Sequence, residues 1–350
     1  MRTLRYSLPF LFLATAPLGF LMGGGWSLLT LAVVPLALCG FDLALGFDSE
    51  ALARPGSLTY RALPWLYIGL QLAVTLWACV AISRPSVSFI AGLGLTLSVG
   101  VTAGIFGILA AHEMVHSRSA AERVLGLAML ASVGYMHFRI AHIHGHHVRA
   151  ATFEDPATAR RGENAYRFIP RSVAGQLKEA WAFETARLRR GGRPLFGLSN
   201  RMLFYGVVEV AIAASATLLG PASLAFWAGQ AALAVILLEL FNYIAHYGLA
   251  RRRGRAGRLE RLGPRHSWNS SRRMNNWSLF NMGRHSDHHR APTRPYQQLV
   301  GAADAPELPA GYAGAIGCAL IPPLWRKVMD PRVDMWARSA GEGDEGTVGR

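Results

Sequence analysis

The chain has 350 residues, 51% of them hydrophobic, and a formal net charge of +15. A soluble globule of that length carries a more charged surface, so the composition points to a membrane protein whose basic residues are gathered on one side. The three cysteines, Cys39, Cys79 and Cys318, stand far apart; they exclude a disulfide framework and a thiolate metal site, leaving nitrogen and oxygen as donors for any metal.

A membrane-spanning helix needs roughly 20 mainly apolar residues. Such runs occupy residues 7–22, 26–47, 63–82, 87–111, 202–219 and 222–243. The first, within "RTLRYSLPFLFLATAPLGF", has the look of a signal peptide. Gly23-Gly24-Gly25, however, leads straight into a second apolar run, the pattern of a helical hairpin. Six spans in three hairpins are predicted. The connections "GGG", "SRPS" and "GPAS" contain one basic residue, Arg84, and the other 35 of the 36 fall at the N-terminus, in the second and fourth connections and in the C-terminal region. The positive-inside rule then places both termini and both large histidine-bearing segments in the cytoplasm.

The first cytoplasmic segment runs from residue 112 to about 201. Its apolar stretch 124–137 predicts a helix lying against the membrane or returning into it. "EDPATARRGENAYRF" follows, then an amphipathic helix around 173–190. The second segment opens with "ARRRGRAGRLERLGPR", a solvated basic face near anionic headgroups. "GYAGAIGCALIPPLW" is too short to span and is broken by Gly and Pro, so it is expected to be interfacial or packed. "SAGEGDEGTVGR" has the composition of disorder. The expected fold is an all-α integral membrane protein. One domain, 1–338, has six transmembrane helices and a cytoplasmic histidine-rich cap, with a disordered tail over 339–350. The lipid bilayer is its setting, and no nucleic-acid partner is expected.

The twelve histidines are the chemical signal. His112 and His116 in "AHEMVHSR" are four apart, so on a helix they share a face and can converge on one ion. His142 and His146 in "AHIHGHHVR" repeat that spacing, with His147 adjacent. His285 and His288 in "GRHSDHHRAP" are three apart, with His289 adjacent, and His246 lies in "NYIAHYGL". All nine map to one membrane face. That is more than the four ligands of a structural zinc site, and it suits two metals with four or five nitrogens each. Imidazole accepts Fe, Zn, Cu and Ni, so ligand softness does not choose among them. His144, two residues from both His142 and His146, points away from their shared face and is left out, as are His137 and His266. A metal-ion transporter would also be rich in membrane histidines. Its ligands, however, belong near the bilayer midplane on broken helices, whereas these cluster at the cytoplasmic ends.

The four motifs resemble those of the membrane-bound di-iron family that includes fatty acid desaturases, xylene monooxygenase and alkane 1-monooxygenase. "NYIAHYGL", "PRHSWNSS", "GRHSDHHRAPTRPYQQL" and "LPAGYAGAIGCALIPPLWRKVMDPRV" are most similar to alkane 1-monooxygenase, over about residues 26–335. The resemblance implies two non-haem irons held by His112, His116, His142, His146, His147, His246, His285, His288 and His289. It further implies O₂ as co-substrate, hydroxylation of a terminal carbon of a medium- to long-chain alkane, and a bacterial-type cytoplasmic membrane. Within the superfamily the alternatives are a fatty acid desaturase or hydroxylase and a xylene-type methyl-group monooxygenase on the same iron site. No GxGxxG follows a strand and no cysteine set could hold iron. Electrons are therefore expected from a separate carrier, rubredoxin or a ferredoxin with its NAD(P)H-dependent reductase, and an acidic carrier would be steered by the arginine-rich face. Alkane hydroxylases usually carry Glu before the histidine in the second and third motifs, where this chain has Ala141 and Ala245. Glu113, beside His112, and Asp287, between His285 and His288, are candidate acceptors for ligand N–H groups.

Overall fold

A computed structural model describes residues 3–48, 58–252 and 258–345. Six helices in it are long and apolar enough to cross a membrane: Leu4–Met22, Gly24–Leu45, Leu58–Ile82, Phe89–Val115, Arg201–Leu218 and Pro221–His246. They match the six apolar runs, and the protein is an all-helical, multi-pass membrane protein. The described residues contain two isolated backbone bridges and no strand. The fourth and sixth spans run further than their apolar stretches, to Val115 and His246. Helical hydrogen bonding continues through polar residues once the preceding turns exist, because each added residue costs little to fix. These added turns carry His112 and His246.

Gly23 and Gly24 have φ of +78° and +53°, a left-handed pair that glycine adopts without a Cβ clash, so the first span turns directly into the second. The fourth span is central: 72% of its apolar window is buried, against 17% for the fifth. It packs on the first and sixth spans and on the start of the second. At Gly104 the fourth and sixth spans come so close that a Cβ would lie 2.8 Å from the Ala234 Cα. Small residues matter here because lipid gives helices no hydrophobic reason to associate, and close packing must hold them. Hydrogen bonds between spans add to it. The Tyr67 hydroxyl donates to the Thr102 carbonyl at 3.1 Å, Ser98 to the Ser27 carbonyl at 2.9 Å, and Ser223 to the Cys79 carbonyl at 2.5 Å. Leu11, Leu76, Phe89, Val207 and Leu218 stand exposed on the outside, a broad apolar surface of the kind lipid covers.

Most of the other structure gathers at one end of the spans. The helix expected at 124–137 covers Ala120–Ser132 and lies against the third and fourth spans, and Gly134 follows it in the left-handed region. The amphipathic helix is longer than its hydrophobic pattern, Ala165–Arg190, because Asn164 caps it by accepting from the Arg167 N–H. At its far end Glu184 accepts from Arg187 and from Arg201, the first residue of the fifth span. The Gly- and Pro-broken stretch is packed, with Gly311–Ala319 on the sixth span. A final helix, Pro322–Glu345, extends through the first seven residues of the expected disordered tail. Residues 346–350, and 253–257 of the basic run, lie outside the described residues.

Candidate metal centre

Nine histidines from four stretches of sequence meet at the cap end of the spans. His112, His116, His142, His147 and His288 form one group, and His146, His246, His285 and His289 a second. Within each group the donor nitrogens all lie within 4.8 Å of one another. The groups abut, with the His147 and His289 rings 4.7 Å apart. Buried asparagines position the last cluster. Asn275 accepts from the Tyr312 N–H and donates to Asp42 on the second span at 2.7 Å. The Asn269 side-chain oxygen accepts from both the N–H and the hydroxyl of Ser286, each at 3.0 Å, which pins the short helix His285–Arg290.

Sequence spacing alone joins His142 to His146 and His285 to His288, and the structure divides both pairs. Over His142–His146 the chain is wound as a π-turn, whose hydrogen bonds reach from i to i+5. That winding aligns His142 with His147, their Nε2 atoms 3.0 Å apart, and swings His146 into the other group. In the last cluster the four-residue spacing wins, so His285 and His289 face each other at 3.0 Å. His288 reaches across to His147 at 3.2 Å. His144 lies outside both groups, exposed, its ring 6.2 Å from Phe183. His137 and His266 also lie outside.

The donor set fits a metal. His142 Nε2 lies 2.8 Å from that of His112, 3.1 Å from that of His116 and 3.0 Å from that of His147. A neutral imidazole has one N–H, so hydrogen bonds made in pairs cannot satisfy a knot of this kind, whereas a cation satisfies every lone pair. Neighbouring ligands on a metal at about 2.0–2.1 Å stand roughly 3 Å apart, which is the spacing seen. In the second group, His146 Nε2 is buried with no hydrogen-bond partner among the described residues. Burial first, then His146 and Arg139, holds the His116 ring down at about 3. Burial likewise drives His142, His147, His285, His288 and His289 well below the ordinary imidazole range. These rings are therefore neutral, with lone pairs free to ligate.

The family model described as fatty acid desaturase matches residues 87–316, the region holding every one of these histidines. Alkane 1-monooxygenase 1 of Pseudomonas aeruginosa is 41% identical over 276 residues, covering 78% of this chain and 72% of that protein. Alkane 1-monooxygenase of Acinetobacter baylyi is 39% identical over 315 residues, 90% of this chain and 77% of that one. The chain belongs to the fatty acid desaturase family, among the alkane 1-monooxygenases. A relative further off is the xylene/toluene monooxygenase hydroxylase component of Pseudomonas putida, 28% identical over 96% of this chain and 90% of that protein.

Membership of the alkane 1-monooxygenases and the two histidine groups together point to a non-haem metal site, and the contacts around it differ from what sequence suggested. Ala141 and Ala245, where this family usually has Glu, are buried and bring no carboxylate. Asp155, which sequence reasoning missed, accepts from His146 Nδ1 at 2.9 Å, while the His266 carbonyl accepts from His246 Nδ1 at 3.0 Å. Both bonds leave Nε2 facing its cluster. Burial alone would raise the Asp155 carboxyl, but His146 and the Thr158 hydroxyl outweigh it and hold it below the usual range. The sequence signal was slight: an acidic pair, Glu154-Asp155, in a loop nine residues on. The two expected carboxylates are turned elsewhere. Glu113 accepts from the Tyr296 N–H at 3.1 Å, and Asp287 binds Arg290, Arg294 and the Val300 N–H. Neither accepts from a histidine ring among the described contacts, because each follows a ligand by one or two residues and so leaves the helix on another face.

Two clefts approach the site. One of about 270 Å³ reaches His116 and Glu113 past Arg61, Arg118 and Arg294. The other, about 40 Å³, is apolar and lies between the second, fourth and sixth spans; Leu38, Gly104, Leu109 and Leu237 line it, and Phe241 closes it. The Phe241 ring is 5.4 Å from His285 and stacks on Tyr312 at 4.2 Å.

Proposed function

We propose that the protein inserts one atom of O₂ into the terminal C–H bond of a medium- to long-chain alkane, giving the primary alcohol, with one non-haem iron in each histidine group. The observation that carries this reading is the pair of abutting groups, five nitrogens and four, beside an apolar cleft, in a chain about 40% identical to alkane 1-monooxygenases. When bound, the irons supply the activation of O₂ that no side chain can perform. The chain's own residues orient and dry the site. Asp155 and the His266 carbonyl fix two imidazoles. Phe138 stacks on His142 at 4.6 Å, and Phe241 covers His285 edge-on. An unbranched hydrocarbon entering between the spans is the shape a narrow apolar cleft takes, and its methyl end would meet Phe241.

The nine ligands, the single domain 1–338 and the cytoplasmic position of both termini in a bacterial inner membrane are part of the same proposal. The arginine distribution supports the orientation. Alkane 1-monooxygenases imply an electron carrier. We assign that role to rubredoxin, or a ferredoxin, with its reductase, approaching the arginine-lined cleft at His116. Reconstitution with rubredoxin, its reductase, NADH and octane or hexadecane under isotopically labelled O₂ tests the reading. Labelled 1-alkanol is the expected product. Unlabelled alkene, or turnover with acyl chains alone, would place the chain with the desaturases, and preference for the methyl group of xylene with the more distant relative.

A further inference from the structure

A further cavity near the cap is not used by this chemistry. It holds about 590 Å³ between the helix Ala165–Arg190 and the head of the fifth span, walled by Leu177, Trp181, Met202 and Tyr205. His137 and Glu209 both stand in its mostly apolar lining. His137 is 8% exposed, and its Nε2 is buried with no hydrogen-bond partner among the described residues. Glu209 offers a carboxylate of which one oxygen accepts from the Met136 N–H at 2.8 Å. An unpaired buried nitrogen costs free energy unless a ligand or water meets it. Burial holds the His137 ring at about 4, so it is neutral and can either accept or donate one hydrogen bond.

We propose that this pocket binds the hydroxyl end of a long-chain alcohol, its oxygen between His137 and Glu209. A hydroxyl both donates and accepts, which suits a carboxylate facing a neutral imidazole. Lys178 also lines the pocket, and the carboxylate of a fatty acid would meet that of Glu209, so the site favours a neutral head. Glu209 lies eight residues into the fifth span, roughly 12 Å of helix at 1.5 Å per residue. That depth places the head of a single-chain amphiphile just beneath the membrane surface. Gly206 leaves the way out open, since a Cβ there would meet nothing within 4 Å. Phe138, the next residue after His137, stacks on His142 of the first histidine group. The identity of the alcohol as the enzyme's own product rests on the proposed function, while the chemistry of the pocket does not.

The test is photolabelling of the metal-loaded protein in phosphatidylcholine nanodiscs with a long-chain 1-alkanol bearing a diazirine beside its hydroxyl. Label is expected on Trp181 or within residues 202–209, displaced by hexadecanol and not by hexadecane or hexadecanoate. Gly206→Leu and His137→Phe should each cut labelling about ten-fold with metal content unchanged. Label elsewhere, or equal displacement by hexadecane or hexadecanoate, overturns the proposal on the wild-type protein alone. Labelling as expected together with no labelled alkanol in the oxygenation assay would leave the pocket standing and remove the reaction.

Discussion

His146 has two ring nitrogens, and each has its own role. Nδ1 donates to Asp155 while Nε2 faces the four-histidine group. Removing such an acceptor costs metal affinity about 10- to 100-fold. Asp155→Ala should therefore weaken one iron by that factor and leave the other bound. Anaerobic iron titration should then show two classes of site where the wild type is expected to show about two tight equivalents. Equal loss of both irons, or of neither, would refute this assignment. His144 makes the complementary case. It sits among three candidate ligands in sequence, His142, His146 and His147, yet lies outside both groups, against Phe183. His144→Ala should keep most of its iron and turnover, while His142→Ala should lose both. Comparable iron loss in the two variants would mean that the segment is wound differently.

Among the elements, the fourth and sixth spans decide the geometry of the site, because their ends carry His112, His116 and His246. Their backbones approach at Gly104, where a Cβ would press on the Ala234 backbone, which cannot rotate aside as a side chain would. Gly104→Val should cost about 1–3 kcal/mol through overpacking. Thermal unfolding in detergent should show a lowered midpoint. Gly69, where a Cβ would meet nothing within 4 Å, provides the control. A Gly104→Val protein as stable as Gly69→Ala would contradict the packing described. The π-turn at His142–His146 is a second element-level device. One extra residue in the turn lets a single short segment serve both groups, His142 and His147 on one side and His146 on the other.

For the molecule as a whole, burying many neutral imidazoles has a pH consequence. The His116 ring is lowered from 6.5 to about 3 in the folded protein, with burial the leading cause. The unfolded chain therefore takes up protons first. The stability this ring contributes is complete above pH 6.5 and is lost as the pH falls toward 3. His142, His147, His285, His288 and His289 shift the same way, and bound iron would move the loss to lower pH by competing with protons. Unfolding midpoints of the metal-free protein should drop steeply between about pH 7 and pH 4, with a shallower fall when iron is present. A flat profile for the metal-free protein would contradict the burial of these rings.

The spans, their hairpin order, the histidine-bearing ends and the place of His144 outside both groups were all legible in the chain itself. Each rests on a local property: apolar length, a glycine turn, or spacing along a helix. Sequence was also enough to expect the nine histidines to come together, as they do in two abutting groups. Which histidine joins which group was decided by tertiary structure, because the π-turn changes the period that spacing arguments assume, and His288 crosses to a distant segment. The acceptors behind the ligands were equally non-local. Glu113 and Asp287 are neighbours of ligands in sequence, but helical geometry points them elsewhere. Asp155 reaches His146 only because its loop folds inward, with Thr158 and the Ala157 N–H holding the carboxylate in place. The pocket at His137 likewise exists only where the helix Ala165–Arg190 meets the fifth span.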